Sequence, residues 1–248
     1  MIRRISAALL ASLLAAGWSG TALAYRPFDG TDAAVAEPGV FEIELGPSQY
    51  LEQGSDRTLV APALVLNYGI TDRWELVLQG NVAVGLNPDA STTSLLGTAL
   101  LLKGILREGS LQDKDGPSIA TEFGFLLPGI GDEPGTGASA AAIVSQRWPW
   151  LTMHLNAQVA LTREQHADLA FSAIAEGPYD WKVRPVGEIF YERDFGGSET
   201  RSLLVGAIWQ VRDNVAFDVG LRGGWVDDLP LREVRAGITF GFGGFPHR

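Results

Sequence analysis

The sequence contains no cysteine and only three histidines among its 248 residues. The absence of cysteine excludes disulfides, thiolate metal sites and cysteine redox chemistry. No run of about 18 apolar residues follows the N-terminal region, which argues against a transmembrane helix in the body of the chain. Motifs of the P-loop, dinucleotide-binding, nucleophile-elbow and zinc-protease types are also missing. We therefore expect no enzyme, no catalytic or metal-ligating residues and no cofactor.

Positive charge is scarce as well. The chain carries 19 lysines and arginines against 29 aspartates and glutamates, which gives a net charge of −10. Such an acidic chain is not expected to bind nucleic acid through bulk charge.

The first 24 residues have the layout of a secretory signal peptide. Arg3 and Arg4 form a basic start, a short apolar stretch follows, and Ala22-Leu23-Ala24 is an A-x-A cleavage site. The apolar stretch is too short to span a bilayer as a helix. We expect cleavage after Ala24, which leaves a single domain over residues 25–248. Loss of the two arginines changes the net charge from −10 to −12.

In this domain, apolar residues recur mostly at every second position. Trp74, Leu76 and Leu78 share one parity, for example, and Glu75 and Gln79 share the other. Such alternation is typical of a strand that lies between an apolar and a polar environment. It predicts about twelve strands, at residues 39–49, 58–70, 73–86, 95–106, 118–128, 138–148, 150–163, 167–176, 182–193, 201–211, 214–226 and 231–243.

Alternation alone does not tell which face points into a barrel. A membrane barrel points its apolar residues outward, and a soluble barrel points them inward. The signal peptide and the strand lengths of about 10–13 residues favour the membrane class. So do tryptophans near predicted strand ends. We therefore predict an all-β fold, a single antiparallel up-and-down transmembrane β-barrel. It would lie in the outer membrane of a Gram-negative bacterium, with both termini periplasmic.

The connections between the predicted strands alternate in length. Tight turns such as Thr71-Asp72 and Asp213-Asn214 alternate with longer loops such as residues 49–57 and 87–94. This is the pattern of outer-membrane barrels. Such barrels often end on an aromatic residue that the insertion machinery recognises. Here Phe242 closes the apolar pattern, but a short tail follows it.

The polar parity of the strands supplies the side chains that would line a lumen. Mixed charges in a narrow, partly dry space should pair, because an isolated buried charge is costly. Two interpretations stay open, a selective pore surface and a salt-bridged lumen that fills the barrel. The candidates are Glu42, Glu44, Glu75, Lys103, Glu122, Arg147, His154, Asn156, Asp168, Arg184, Glu188, Glu192, Asp218, Arg222, Glu233 and Arg235.

A hydrolase would need a nucleophile and a base within hydrogen-bond reach of each other. The only materials for one are His154, Asn156 and a serine such as Ser145 or Ser172. The sequence around them does not resemble that of the outer-membrane phospholipases. We therefore interpret His154 as a lumen residue.

Three segments carry a family resemblance. They are YRPFDGTDAAVAEPGVFEIELG at the mature N-terminus, LNYGITDRWELVLQGN, and VGLRGGWVDDLPLREVRAGITFGF near the end. Together they resemble the bacterial outer-membrane family known as MetA-pathway of phenol degradation, also described as a transporter family. The resemblance implies a monomeric barrel that contacts outer-membrane lipid and is loosely associated with uptake of aromatic or other apolar compounds. It implies no catalytic residues.

Three functions remain open. The first is a channel or transporter-like barrel for small solutes, hydrophobic or aromatic ones among them. The second is a structural or interaction barrel with a plugged lumen. The third is a soluble periplasmic barrel that binds a ligand inside, in which Leu76, Leu78, Val219 and Phe240 would point inward.

Overall fold

The computed structural model describes residues 26–88 and 92–243. The predicted signal peptide, its cleavage site after Ala24 and the tail at residues 244–248 lie outside the described residues. Twelve antiparallel strands close into one barrel, in which each strand pairs with its neighbours in the chain and the first pairs with the last. The predicted fold class and strand number are confirmed. The strands are β1 (Val40–Gln53), β2 (Asp56–Thr71), β3 (Trp74–Gly85), β4 (Thr93–Arg107), β5 (Ser118–Leu126), β6 (Gly137–Trp148), β7 (Leu151–Leu161), β8 (Ala167–Glu176), β9 (Val183–Asp194), β10 (Glu199–Arg212), β11 (Val215–Val226) and β12 (Leu229–Gly243).

The connection between β1 and β2 differs from the sequence prediction. Residues 49–57 do not form a long loop, because β1 and β2 continue to a turn of only two residues, Gly54 and Ser55. Gly54 has a positive φ of 60°, which a tight turn between paired strands favours. A short 3₁₀ turn at Ser110–Gln112 lies between β4 and β5. Among the described residues, no helix is long and apolar enough to cross a membrane.

Apolar side chains cover the outside of the barrel. Leu76 is 39% exposed, Leu78 is 45% exposed and Val219 is 47% exposed, whereas the intervening Glu75 and Val77 are buried. A soluble barrel would require the opposite orientation of the three exposed residues. The soluble ligand-binding interpretation is therefore wrong, since an outward apolar face of this extent fits contact with lipid.

Tryptophans collect near one end of this apolar face. Trp148 and Trp150 stack at the turn between β6 and β7 with ring centroids 6.3 Å apart. Trp181, in the connection between β8 and β9, is also exposed. This is the end at which β1 begins and β12 ends, and we call it the terminal end. Aromatic girdles of this kind mark the level of a membrane interface.

The chain before β1 lies inside the barrel. We call residues 26–39 the inner segment. It leaves the lumen beside β2, where the Gly39 N–H donates to the Gly69 carbonyl at 2.8 Å. Its Ala33 is completely buried against Ala120 and Ile143. The segment has no alternation, and it occupies the lumen of the barrel close to the terminal end.

Candidate functional site

The predicted lining residues all have the inward parity of their strands. The residues less than 10% exposed are Glu42, Glu44, Glu75, Lys103, His154, Asp168, Arg184, Glu188, Asp218, Glu233 and Arg235. Those of intermediate exposure are Glu122, Arg147, Asn156, Glu192 and Arg222. Most of them contact the inner segment or one another, so the site is the lumen together with that segment.

An ion-pair network on β11 and β12 holds the start of the inner segment. The Arg235 Nε donates to Glu233 at 2.6 Å, its Nη1 to the Pro27 carbonyl at 2.7 Å, and its Nη2 to Asp29 at 2.8 Å. Arg222 Nη1 donates to the second Asp29 oxygen at 2.8 Å. Both arginines are largely buried, which strengthens such charge-assisted bonds.

Asp29 is the centre of this network. Burial disfavours its charged form, but the guanidinium groups of Arg235 and Arg222 outweigh burial and hold the pKa of the carboxyl below its ordinary value of 3.8. Asp29 is therefore ionised at neutral pH. The Glu188 carboxylate accepts the backbone N–H groups of Asp29 and Gly30, both at 2.8 Å.

We call the inward side of β9 to β12 the paired wall, because its charged groups pair with one another and with the inner segment. Its members are Glu188, Asp218, Arg222, Glu233 and Arg235. Asp218 lies 3.8 Å from Arg26 at the start of the segment.

Neutral groups continue the attachment across β6 to β8. The Asn156 amide bonds both backbone groups of Thr31, with Oδ1 accepting its N–H at 3.1 Å and Nδ2 donating to its carbonyl at 2.9 Å. Gly30, which precedes Thr31, lies so close to β8 that a Cβ at this position would clash with the Ser172 side chain. Asn156 and Ser172, two of the candidates for a hydrolase, are thus in contact with the inner segment.

The other two hydrolase candidates do lie within reach of each other. The Ser145 Oγ is 2.8 Å from His154 Nδ1, and His154 Nε2 is 3.1 Å from Glu176. Ser145 Oγ also accepts the Ala33 N–H at 3.0 Å, and Ser145 is completely enclosed. The set therefore positions the inner segment. Arg184 completes it, with Nε 3.4 Å from Glu176.

The opposite side of the lumen is acidic. Lys103 Nζ lies 3.2 Å from Asp32, 3.5 Å from Glu75 and 3.1 Å from the Thr31 hydroxyl. Glu75 also accepts the Ala36 N–H at 2.6 Å. These contacts seat the second half of the inner segment.

Three further carboxylates and an amide surround this lysine. Glu122 is the register partner of Lys103 on β5. Glu44 accepts a hydrogen bond from Asn67 at 3.2 Å. Glu42, which is Asn67's register partner, is 6% exposed. We call the inward side of β1 to β5, with Glu42, Glu44, Glu75 and Glu122, the acidic wall.

A cavity of about 190 Å³ lies in the lumen beside the inner segment, between the acidic wall and strands β6 to β9. Glu42, Glu44 and Glu122 line it, together with Phe28 of the segment and Phe190 of β9. A second pocket, of about 270 Å³, lies at the end opposite the terminal end and includes residues around Asn87 and Asp132. The part of the chain that the structure describes has no group of three or more acidic or histidine side chains suited to a metal ion.

The remaining candidates lie away from this cavity. The Arg147 guanidinium stacks on the Tyr179 ring at 4.8 Å, at the terminal end. Asp168 and Glu192 lie towards the other end, where Asp168 pairs in register with Asp194.

The sequence prediction missed four charged residues of the site. Arg26, Asp29 and Asp32 precede the first strand, and Glu176 lies at the end of β8. The signal for the first three is their place in the RPFDGTDAA segment, which is part of the family resemblance.

Residues 24–242 match the model of the family described as "Putative MetA-pathway of phenol degradation". The chain belongs to this family. Comparison with curated protein sequences gives no match. Further similarities come from comparison with solved structures.

The COG4313 outer membrane channel from Pseudomonas putida F1 has a TM-score of 0.66 to this chain at 11% identity, over 87% of this chain and 100% of the channel. The KdgM porin has a TM-score of 0.55 at 12% identity, over 80% and 98%. The NanC porin also scores 0.55, at 7% identity over 81% and 98%. These similarities show that the MetA-pathway family member has the fold of outer-membrane barrels.

Proposed function

We propose that the protein is an outer-membrane channel for small solutes, with a lumen narrowed by the inner segment. The observation that carries this proposal is the closed barrel itself, whose apolar outside surrounds a charged, partly empty lumen. Structures with this fold include proteins named as a channel and as porins, which supports the proposal. The protein would be exported with cleavage after Ala24, inserted by the outer-membrane machinery and active as a monomer in contact with lipid. The phenol-related family name suggests apolar or aromatic solutes among its cargo.

The contacts of the inner segment favour a channel over a permanently filled barrel. Side chains of the barrel strands accept hydrogen bonds from five backbone N–H groups of the inner segment. These are the N–H groups of Asp29, Gly30, Thr31, Ala33 and Ala36. Polar contacts of this kind can be exchanged for water, whereas an apolar core cannot. The inner segment is therefore suited to act as a gate that opens and closes the lumen.

The filled barrel is the second candidate, and the same segment favours it. Its contacts extend from β12 through β7 to β3, so it bridges opposite walls. A segment that never moves would leave a structural or interaction barrel without transport.

Liposome swelling with sized solutes distinguishes the two. We expect swelling with small sugars and amino acids that falls off with solute size, and faster swelling for Asp29→Asn, which loosens the segment. No swelling at any size in either protein would favour the filled barrel. Membrane fractionation with a heat-modifiability gel tests the location, because a protein found only in the soluble periplasm would contradict it.

A further inference from the structure

We propose that the cavity beside the acidic wall binds a small organic ammonium ion, so that the lumen selects cationic solutes. The inference rests on the proposed channel function for its role in transport. The binding site itself depends only on the described geometry.

The first argument is the charge balance around the cavity. Asp32, Glu42, Glu44 and Glu75 are four buried carboxylates, and among the described residues the ammonium of Lys103 is the one cation within 4 Å of any of them. Arg26 also lines the cavity and acts on Glu44, but its charge is offset by Asp218 of the paired wall, 3.8 Å away. A buried excess of negative charge is costly unless a counter-ion offsets it.

Glu42 is the second, independent argument. Its side chain lines the cavity, it is 94% buried, and within the described ranges it makes no hydrogen bond or ion pair. Glu44 and Glu75, which line the same cavity, are of like sign. A buried carboxylate aimed at an empty space among like charges is a place for a cation.

The shape of the cavity indicates what kind of cation. No cluster in the described part of the chain has the compactness of a metal site. The cavity of about 190 Å³ would hold about six water molecules at liquid density. Phe28, Val65, Val77 and Phe190 line it beside the carboxylates. An ion with an ammonium head and a small apolar or aromatic body fits both surfaces.

Lys103 shows that this wall accepts an ammonium group. Its Nζ is held by two carboxylates and a hydroxyl, a set of three acceptors that matches the three N–H donors of an –NH₃⁺ group. Because Asp32, Glu75 and Thr31 engage that one ammonium, Glu42 is left to hold a second, with Glu44 beside it.

The test is isothermal titration calorimetry on the full-length mature protein in neutral maltoside micelles at pH 7.5. The probes are benzylammonium, benzyl alcohol and benzoate, which share an aromatic ring and differ in charge. We expect benzylammonium to bind and the other two to bind at least about tenfold more weakly. Equal affinities for benzylammonium and benzyl alcohol would overturn the proposal. They would also indicate that protons neutralise the acidic wall.

Two matched variants locate the site. Glu42→Gln should weaken benzylammonium binding about ten- to hundredfold, the effect of losing a charge-assisted contact. Glu192→Gln removes an inward-facing carboxylate that does not line the cavity, and it should leave the affinity within about twofold. Equal loss in both variants would overturn the placement. The comparison of probes on the unmodified chain decides the proposal even if Glu42→Gln fails to fold.

Failure of the channel is distinguishable from failure of the site. Binding without conductance in planar bilayers would contradict transport and leave the ammonium site intact. Conductance together with equal binding of the three probes would contradict the ammonium site and leave the channel function intact.

Discussion

The two walls of the lumen solve the problem of buried charge in different ways. On the paired wall, Arg222 and Arg235 meet Glu233 and Asp29 at hydrogen-bond distances. On the acidic wall, one ammonium serves several carboxylates, and Glu42 has no direct partner among the described residues. The paired wall is suited to hold the inner segment, and the acidic wall is suited to receive something that comes and goes.

The largest expected effect is the loss of Arg235 from the paired wall. Arg235→Ala leaves the buried Glu233 and the partly exposed Asp29 with too few partners, and we expect the free energy of unfolding to fall by about 3–5 kcal/mol. Urea unfolding of the barrel in micelles measures it. The control is Arg232→Ala, whose side chain is 77% exposed and lies 3.7 Å from Glu52. That change should cost less than about 1 kcal/mol, and equal losses would contradict the distinction.

The same chemical change on the two walls should have opposite signs. Glu188→Gln weakens the acceptor of two backbone N–H groups, and we expect a loss of about 1.5–3 kcal/mol in the free energy of unfolding. Glu42→Gln removes a charge from among like charges. Measured without added amines, it should raise the free energy of unfolding by roughly 1 kcal/mol. A loss of stability in Glu42→Gln would mean that its carboxylate is already compensated.

Gly69 tests the place where the inner segment leaves the barrel. A Cβ at this position would clash with the backbone carbonyls of Ala36 and Glu37. Gly69→Ala should therefore loosen the segment at a cost of about 1–3 kcal/mol. Hydrogen exchange of residues 26–39 should become faster while the strands stay protected. Gly223→Ala, which meets open space within 4 Å, is the matched control and should leave the exchange unchanged.

The strands and the inside–outside parity could be predicted from the sequence, because a strand between lipid and a polar lumen must alternate. Glu75 between Trp74 and Leu76 shows this directly. The loop lengths could not be predicted as well. Gly54 and Ser55 lie in a polar stretch, and composition alone does not show that the strands continue almost to the turn.

The inner segment could not be predicted, for a physical reason. It has no period, and its partners are distant in sequence, as for Asp29 and Arg235, which are 206 residues apart. Its pairing depends on the closure and register of the whole barrel. The lining residues could be identified by parity, but their division into a paired and an acidic wall requires the position of Arg26, Asp29 and Asp32.

The smallest expected effect is the response of the paired wall to acid. Because Arg235 and Arg222 hold the pKa of Asp29 below 3.8, the Asp29 contacts stabilise the seated segment fully above that pH. The stabilisation is lost as the pH falls through the lower value in the folded protein. The measurement is the protection of residues 26–39 against hydrogen exchange, corrected for intrinsic rates. The contribution of Asp29 to this protection should stay constant from pH 7 to about pH 4 and decrease below about pH 4.

Asp29→Asn separates this contribution from that of the other carboxylates in the lumen. The variant should have lower protection at pH 7, because the charge between the two arginines is gone, and the difference from the unmodified protein should shrink as the pH falls below about 4. A difference that is constant at all pH values would show that the charge of Asp29 does not hold the segment. The attachment would then rest on the uncharged bonds, such as those of Asn156 to Thr31, and the contrast between the two walls would lose its functional meaning.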